Sequence, residues 1–302
     1  MQHPLVSVVI PCYNQGQYIN EAVDSVLAQS YQNFEIVIVN DGSTDELSIE
    51  ILKNYKNIKT TVLHTTNKGL PSARNYAIEM SNGKYILPLD ADDKIGSTYI
   101  EKAVNLLESD NNIGIVYCKA DLFGDQTGIW HLPEYRFPDI LLDNVIFCSG
   151  FFRKGDWEEV GGYNHEMIYG WEDYDFWLSI IELGRDVNRI SEVLFYYHRK
   201  SGSMVELMKE HHHVYSYTKM FKRHFNLYSQ NIETIFSNLV SLRLRLQHTQ
   251  SELERSQSQL LYTQSELERS QSIINAMLTS KFWKIRKIWF SLKNIIRTKT
   301  ND

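Results

Sequence analysis

Residues 6–46 read VSVVIPCYNQGQYINEAVDSVLAQSYQNFEIVIVNDGSTDE, and this stretch decides the fold. Val6 to Ile10 and Glu35 to Asn40 are short, β-branched and mostly apolar, which predicts two strands. Between them, Tyr18 to Gln29 carries Ile19, Ala22, Val23, Val26 and Leu27 at helical spacing. Strand, helix and strand in that order form a βαβ unit and imply a mainly parallel sheet. Further out, Lys59 to Leu63, Tyr85 to Leu89 and Ile113 to Cys118 predict more strands. Leu70 to Met80 and Thr98 to Glu108 predict more helices.

In such sheets ligands bind beyond the carboxyl ends of the strands. The residues that follow each strand are therefore the candidate site. Pro11-Cys12-Tyr13-Asn14-Gln15-Gly16 follows the first strand, and Asp41-Gly42-Ser43-Thr44-Asp45 the second. Asp90-Ala91-Asp92-Asp93 follows the fourth. Neither GxGxxG nor GxxxxGK[ST] is present, which speaks against a dinucleotide fingerprint and a P-loop. Three carboxylates in four residues repel one another unless a divalent cation sits among them or water surrounds them. Magnesium or manganese suits such oxygen ligands and keeps sites for substrate phosphates. Asp41 lies in a turn sequence, where Ser43 or Thr44 could simply cap the next helix. Tyr13 fits either a packed aromatic or a ring that stacks on a base.

A second acidic cluster is GWEDYDFWL at 170–178. Trp171, Tyr174 and Leu178 share one face, so the cluster predicts the first turn of a buried helix. Carboxylates there are stabilised by the helix dipole, or one serves as a base beside a substrate hydroxyl. Trp130, His131, Tyr135, Arg136 and Trp157 are candidates for sugar contact or for packing.

Composition sets the outer limits. The 302 residues carry 31 basic and 37 acidic side chains, a net charge of −6. With 43% apolar and 12% aromatic residues, wholesale disorder is excluded. Cys12, Cys118 and Cys148 are scattered and odd in number, which argues against disulfides or structural zinc and for a reducing compartment. Val6 to Ile10 is too short and lacks a basic lead for a signal peptide. No stretch approaches the roughly 18 apolar residues of a membrane span. Mild acidity argues against a nucleic-acid partner.

Taken in order, residues 6–46, NKGLPSARNYAIEMSNGKYILPLDADD, VGGYNHEM and GWEDYDFWL resemble the family 2 glycosyltransferases. The resemblance covers about residues 5 to 205 and implies the α/β fold called GT-A, a Rossmann-like mixed, mainly parallel sheet flanked by helices. It implies that Pro11 and Tyr13 line a base pocket and that Asp41 contacts the base. It places Arg74 near the nucleotide. Asp90, Asp92 and Asp93 correspond to the DxD-type motif, with Asp92 facing ribose and metal and Asp93 binding the metal. Asp173 corresponds to the general base. His198 falls near the diphosphate or metal, although FYYHRKSGS departs from the usual pattern there. The implied cofactor is Mn2+ or Mg2+. The implied partners are a nucleotide-sugar donor, a UDP-sugar by default, and a glycan or lipid-linked acceptor.

Every glycine and proline lies at or before Gly202, so the last hundred residues predict continuous helix. TQSELERSQS occurs at 249–258 and again at 263–272, a period of fourteen. Leu246, Leu253, Leu260, Leu267 and Ile274 recur every seven residues. The companion positions hold Gln250, Gln257, Gln264 and Gln271, or threonine and serine in the other register. Both a polar spacer helix and a homo-oligomeric coiled coil through 242–275 fit this pattern. Residues 281–302 hold seven basic residues and one acid, a net of +6, so the remaining 280 carry −12. Leu278, Phe282, Ile285, Trp289, Leu292 and Ile296 form one face, widened by Ile288 and Ile295, with Lys284, Arg286, Lys287 and Lys293 opposite. That pattern fits a helix on a membrane interface or one packed on protein.

The chain therefore divides into a GT-A domain at 1–225, a helical spacer at 226–280 and a basic amphipathic helix at 281–302. The expected function is metal-dependent, inverting sugar transfer in cell-surface polysaccharide synthesis, in the cytoplasm or on the inner face of the membrane. The alternative is a catalytically silent nucleotide-sugar-binding scaffold with a coiled-coil tail. A nucleotidyltransferase would need a glycine-rich, basic first loop, which this chain lacks.

Overall fold

The computed structural model describes residues 3–202 and 204–299, with side chains placed throughout except at 204–205 and 294–299. One nine-stranded sheet organises the first two thirds of the chain. Its strands are β1 (Val6–Cys12), β2 (Phe34–Asp41), β3 (Thr60–Thr65), β4 (Tyr85–Pro88), β5 (Lys94–Ile95), β6 (Ile113–Gly124), β7 (Gly128–Trp130), β8 (Phe151–Arg153) and β9 (Asp186–Arg199). Their order is β3-β2-β1-β4-β8-β6-β9-β5, with β7 on β6. From β3 to β4 the pairing is parallel, and β8 then runs antiparallel to both β4 and β6.

β1 is buried at all seven positions because helices cover both faces, which explains its unbroken apolar run. Helix α1 (Ile19–Leu27) buries Ile19, Ala22, Val23 and Val26, the face its spacing predicts. Helices α2 (Glu46–Asn54), α3 (Leu70–Glu79) and α4 (Tyr99–Ser109) complete the βα repeats. Asp45 caps α2 by accepting the Ser48 N–H at 2.8 Å, so the cap is neither Ser43 nor Thr44. Helices α5 (Lys154–Val160) and α6 (Glu172–Glu182) follow β8. α6 brings Phe176 and Trp177 against Phe152 in the core.

The described residues from 204 to 299 are largely helical, but the helix is not continuous. Helices α7 (Met204–Leu207), α8 (Glu210–Arg223), α9 (Phe225–Gln230), α10 (Ile232–Thr279) and α11 (Lys281–Lys299) are separated at 208–209, His224, Asn231 and Ser280. No glycine or proline makes these breaks. At His224 the cause is side-chain anchoring. Its buried ring lies 2.7 Å from Glu182 and 3.3 Å from Asp175 of α6, and Arg223 pairs with Asp175 at 2.6 Å. Those contacts override helix propensity.

The chain divides into two compact units between Ile235 and Phe236. In the second unit the leucines of the fourteen-residue repeat are exposed, as are Phe282, Ile285, Trp289 and Leu292 of α11. Ile295, Ile296, Arg297, Lys299 and Asp302 of the amphipathic pattern lie outside the described side chains. Among the described residues, no helix is long and apolar enough to cross a membrane.

Candidate functional site

Because β1, β2 and β4 are parallel, their carboxyl ends open on the same side of the sheet. The strand ends and the loops that follow them deliver Pro11, Tyr13, Asp41, Asp90 and Asp92 to one cavity of about 790 Å3. The start of α6 adds Glu172 and Asp173, β9 adds His198, and Lys200 comes just after that strand. Of the five aromatic and basic candidates for sugar contact, only Trp130 lines this cavity.

At one end, Asn14 clamps the first loop to the second. Its amide oxygen accepts the Thr44 N–H at 2.7 Å, and its own N–H donates to Ser43 Oγ at 3.0 Å. This leaves Tyr13 45% exposed at the rim. Asp41 is buried and accepts the N–H groups of Lys68 and Gly69 at 2.9 and 3.0 Å. Gly42 has φ +68°, and a Cβ there would stand 2.5 Å from the Asn67 nitrogen. Only glycine allows the two loops this close.

The acidic loop lies deeper. Asp90 pairs with Arg74 at 2.6 Å and accepts a hydrogen bond from the Cys148 thiol at 3.5 Å. Asp92 pairs with Lys200 at 2.5 Å. Asp93 is 1% exposed. Its Oδ1 accepts the His198 N–H at 2.8 Å, and its Oδ2 is buried without a hydrogen-bond partner. Burial, then Asp92 and Asp90, push the Asp93 carboxyl well above its usual range.

Arg74 lines the same cavity, almost wholly buried, and bridges Asp90 and Glu172. Burial opposes its charge, but those two carboxylates more than offset that and hold the guanidinium firmly protonated. Asp173 follows Glu172 and is half-buried. Burial first, then the neighbouring Glu172, push its carboxyl up to about 7 against the lowering effect of Arg74. Trp171, which precedes them, caps α6 with φ 65°. His198 stacks on Phe123 at 4.7 Å and meets the edge of Tyr18 at 5.1 Å.

Ligand atoms of Asp90, Asp93 and Cys148 lie within 4.8 Å of one another, the one such group among the described residues. The unpartnered Asp93 oxygen and the crowded carboxylates fit a hard divalent cation. The Cys148 thiol is a poor match for such a cation, which takes oxygen ligands. Sequence reasoning missed Cys148, Lys200 and the Arg74–Glu172 bridge. Lys200 follows β9, a mostly half-exposed strand that leaves no clear periodic record in the sequence. Cys148 comes from an irregular loop and carried no signal.

The sequence profile described as glycosyl transferase family 2 matches residues 7–158, half of the chain. The chain belongs to that family. An uncharacterized glycosyltransferase of Rickettsia typhi is 33% identical over 204 residues, which cover 64% of this chain and 61% of that protein. The chain thus spans less than two thirds of that relative's length. Chondroitin synthase of Pasteurella multocida is 32% identical over 187 residues, 60% of this chain and 19% of that protein. A crystal structure of S. aureus TarS 1–349 in complex with UDP-GlcNAc superposes with TM-score 0.56 at 22% identity, covering 68% of this chain and 61% of that one. The shared fold is the GT-A arrangement of a mixed sheet flanked by helices.

Proposed function

We propose that this chain transfers a sugar from a UDP-sugar to a hydroxyl of a glycan or lipid-linked acceptor, with inversion at the anomeric carbon. The observation that carries this reading is the meeting of three strand-end loops and the Asp173 turn in one cavity. The TarS complex with UDP-GlcNAc supports the choice of donor.

Pro11, Tyr13 and Asp41 hold the base end, and Asp92 faces the ribose. Asp173 removes the proton from the acceptor hydroxyl as its oxygen bonds to the anomeric carbon. The bond from that carbon to the diphosphate breaks, and the diphosphate leaves with the electron pair. A carboxyl that titrates near neutrality is suited to this task. Mn2+ or Mg2+ held by Asp92 and Asp93, with Asp90 and His198 as weaker candidate ligands, would offset the charge on that leaving group. Arg74 lines the cavity near the nucleotide and holds Asp90 and Glu172 in place.

In this reading residues 1–225 carry the chemistry, 226–280 form a spacer, and 281–302 rest on the inner face of the cell membrane. The exposed Phe282, Ile285 and Trp289 would enter the interface while Lys284, Arg286 and Lys287 meet anionic headgroups. Co-sedimentation with anionic but not neutral vesicles, lost on removal of 281–302, is the expected result. Equal sedimentation without that segment contradicts it.

A panel of UDP-, GDP- and TDP-sugars, with and without manganese, tests the donor. Slow nucleoside diphosphate release from one UDP-sugar, stimulated by metal and lost in Asp92→Asn, is expected. Metal-dependent binding without release, across a broad acceptor panel, would favour a silent scaffold instead.

A further inference from the structure

Helix α10 is one unbroken helix to Thr279, and it carries a heptad seam longer than the leucine repeat alone. Leu239, Leu246, Leu253, Leu260, Leu267 and Ile274 occupy every seventh position. Three residues after each stand Leu242, Thr249, Ser256, Thr263, Ser270 and Met277. The second series is apolar at both ends and hydroxyl-bearing between them. The apolar members of both series are 42% to 66% exposed, so nothing in the described chain covers them. Spacing of three and four over six heptads matches a two-stranded seam.

The composition of the seam also selects the partner. In a parallel, in-register pair each residue meets its own copy. Leucine then faces leucine, and hydroxyl faces hydroxyl. In an antiparallel pair the first series always faces the second, whatever the offset. That arrangement sets a serine or threonine against most of the leucines, which wastes apolar burial and strands hydroxyls. The flanking positions agree with the parallel choice. Glu252 would face Gln257 of the other copy, Glu266 would face Gln271, and Arg245 would face Gln250, so no like charges meet. A slip of fourteen residues would satisfy the repeat. It would also pull Leu242 and Met277 off their own copies and onto hydroxyl-bearing residues or out of the pair.

We propose that residues 239–277 form a parallel, in-register, two-stranded coiled coil with a second copy of this chain. The contact is independent of the transfer chemistry. Sedimentation of the full chain tests it, together with Leu253→Asp/Leu260→Asp. The parent should have twice the chain mass, and the double variant should be monomeric with unchanged diphosphate release per chain. Cysteines added one at a time, Ser256→Cys and Ser270→Cys, with the parent and its three native cysteines as control, report direction. Under mild oxidant both should form covalent homodimers in high yield. An antiparallel pair brings at most one position beside its own copy, so crosslinking at only one of them overturns the parallel assignment. A monomeric parent, a larger oligomer or a double variant that stays dimeric overturns the proposal. A monomer whose anionic-vesicle binding depends on Leu253 and Leu260 would assign the face to lipid instead.

Discussion

Asp173 stands on the first turn of α6 beside Glu172, and Arg74 joins Glu172 to Asp90. A base works in its ionised form, and the raised Asp173 carboxyl ionises as pH climbs through about 7. The sign is therefore fixed. kcat/KM should rise with pH through that region and fall about tenfold per unit below it. The limb should vanish in Asp173→Asn, and initial rates across the pH range check both points. Arg74→Met leaves the buried Glu172 and the half-buried Asp90 without their shared cation. Unfolding in urea should then show a loss of about 3–5 kcal/mol, as for other broken buried pairs. Arg74→Lys should restore only part of it, because an ammonium lacks the forked geometry that reaches both acids. Unchanged stability in Arg74→Met would contradict the bridging role.

The loops after β2 and β3 meet at Gly42, and their spacing depends on the absence of a side chain there. Gly42→Ala must place a Cβ in backbone with φ +68° and against the Asn67 nitrogen. It should destabilise by about 1 kcal/mol or more and weaken donor binding, since Asp41 would lose its hold on Lys68 and Gly69. Calorimetry of donor binding and thermal unfolding read the two effects. β1, β2 and α1 were legible because burial on both sheet faces or one helix face leaves a periodic apolar record. β8 was not, being three residues long. β9 was not, because only three of its fourteen residues are buried and its register against β6 shifts. The breaks in the C-terminal helices were equally silent, since the one at His224 arises from distant partners on α6 rather than from a local breaker.

For the molecule as a whole, what could be read depended on how far apart in sequence the interacting residues lie. Pro11 and Asp41 lie at the ends of strands β1 and β2, and Asp90 to Asp93 follow β4, so sheet topology alone sends them to one end. Lys200 reaches Asp92, and Glu172 reaches Arg74, across about a hundred residues. No local pattern records such pairs. The two-unit division likewise separates a chain segment whose apolar residues are buried in a sheet core from one whose apolar residues are exposed along helices. The most direct test of the central claim is sugar transfer by the purified full chain, measured with its best donor and acceptor and compared with Asp173→Asn. The account predicts an inverted product from the parent. It predicts a loss of about 100- to 10,000-fold in the variant, with donor binding retained. Full transfer by Asp173→Asn, or a product with retained configuration, would contradict it.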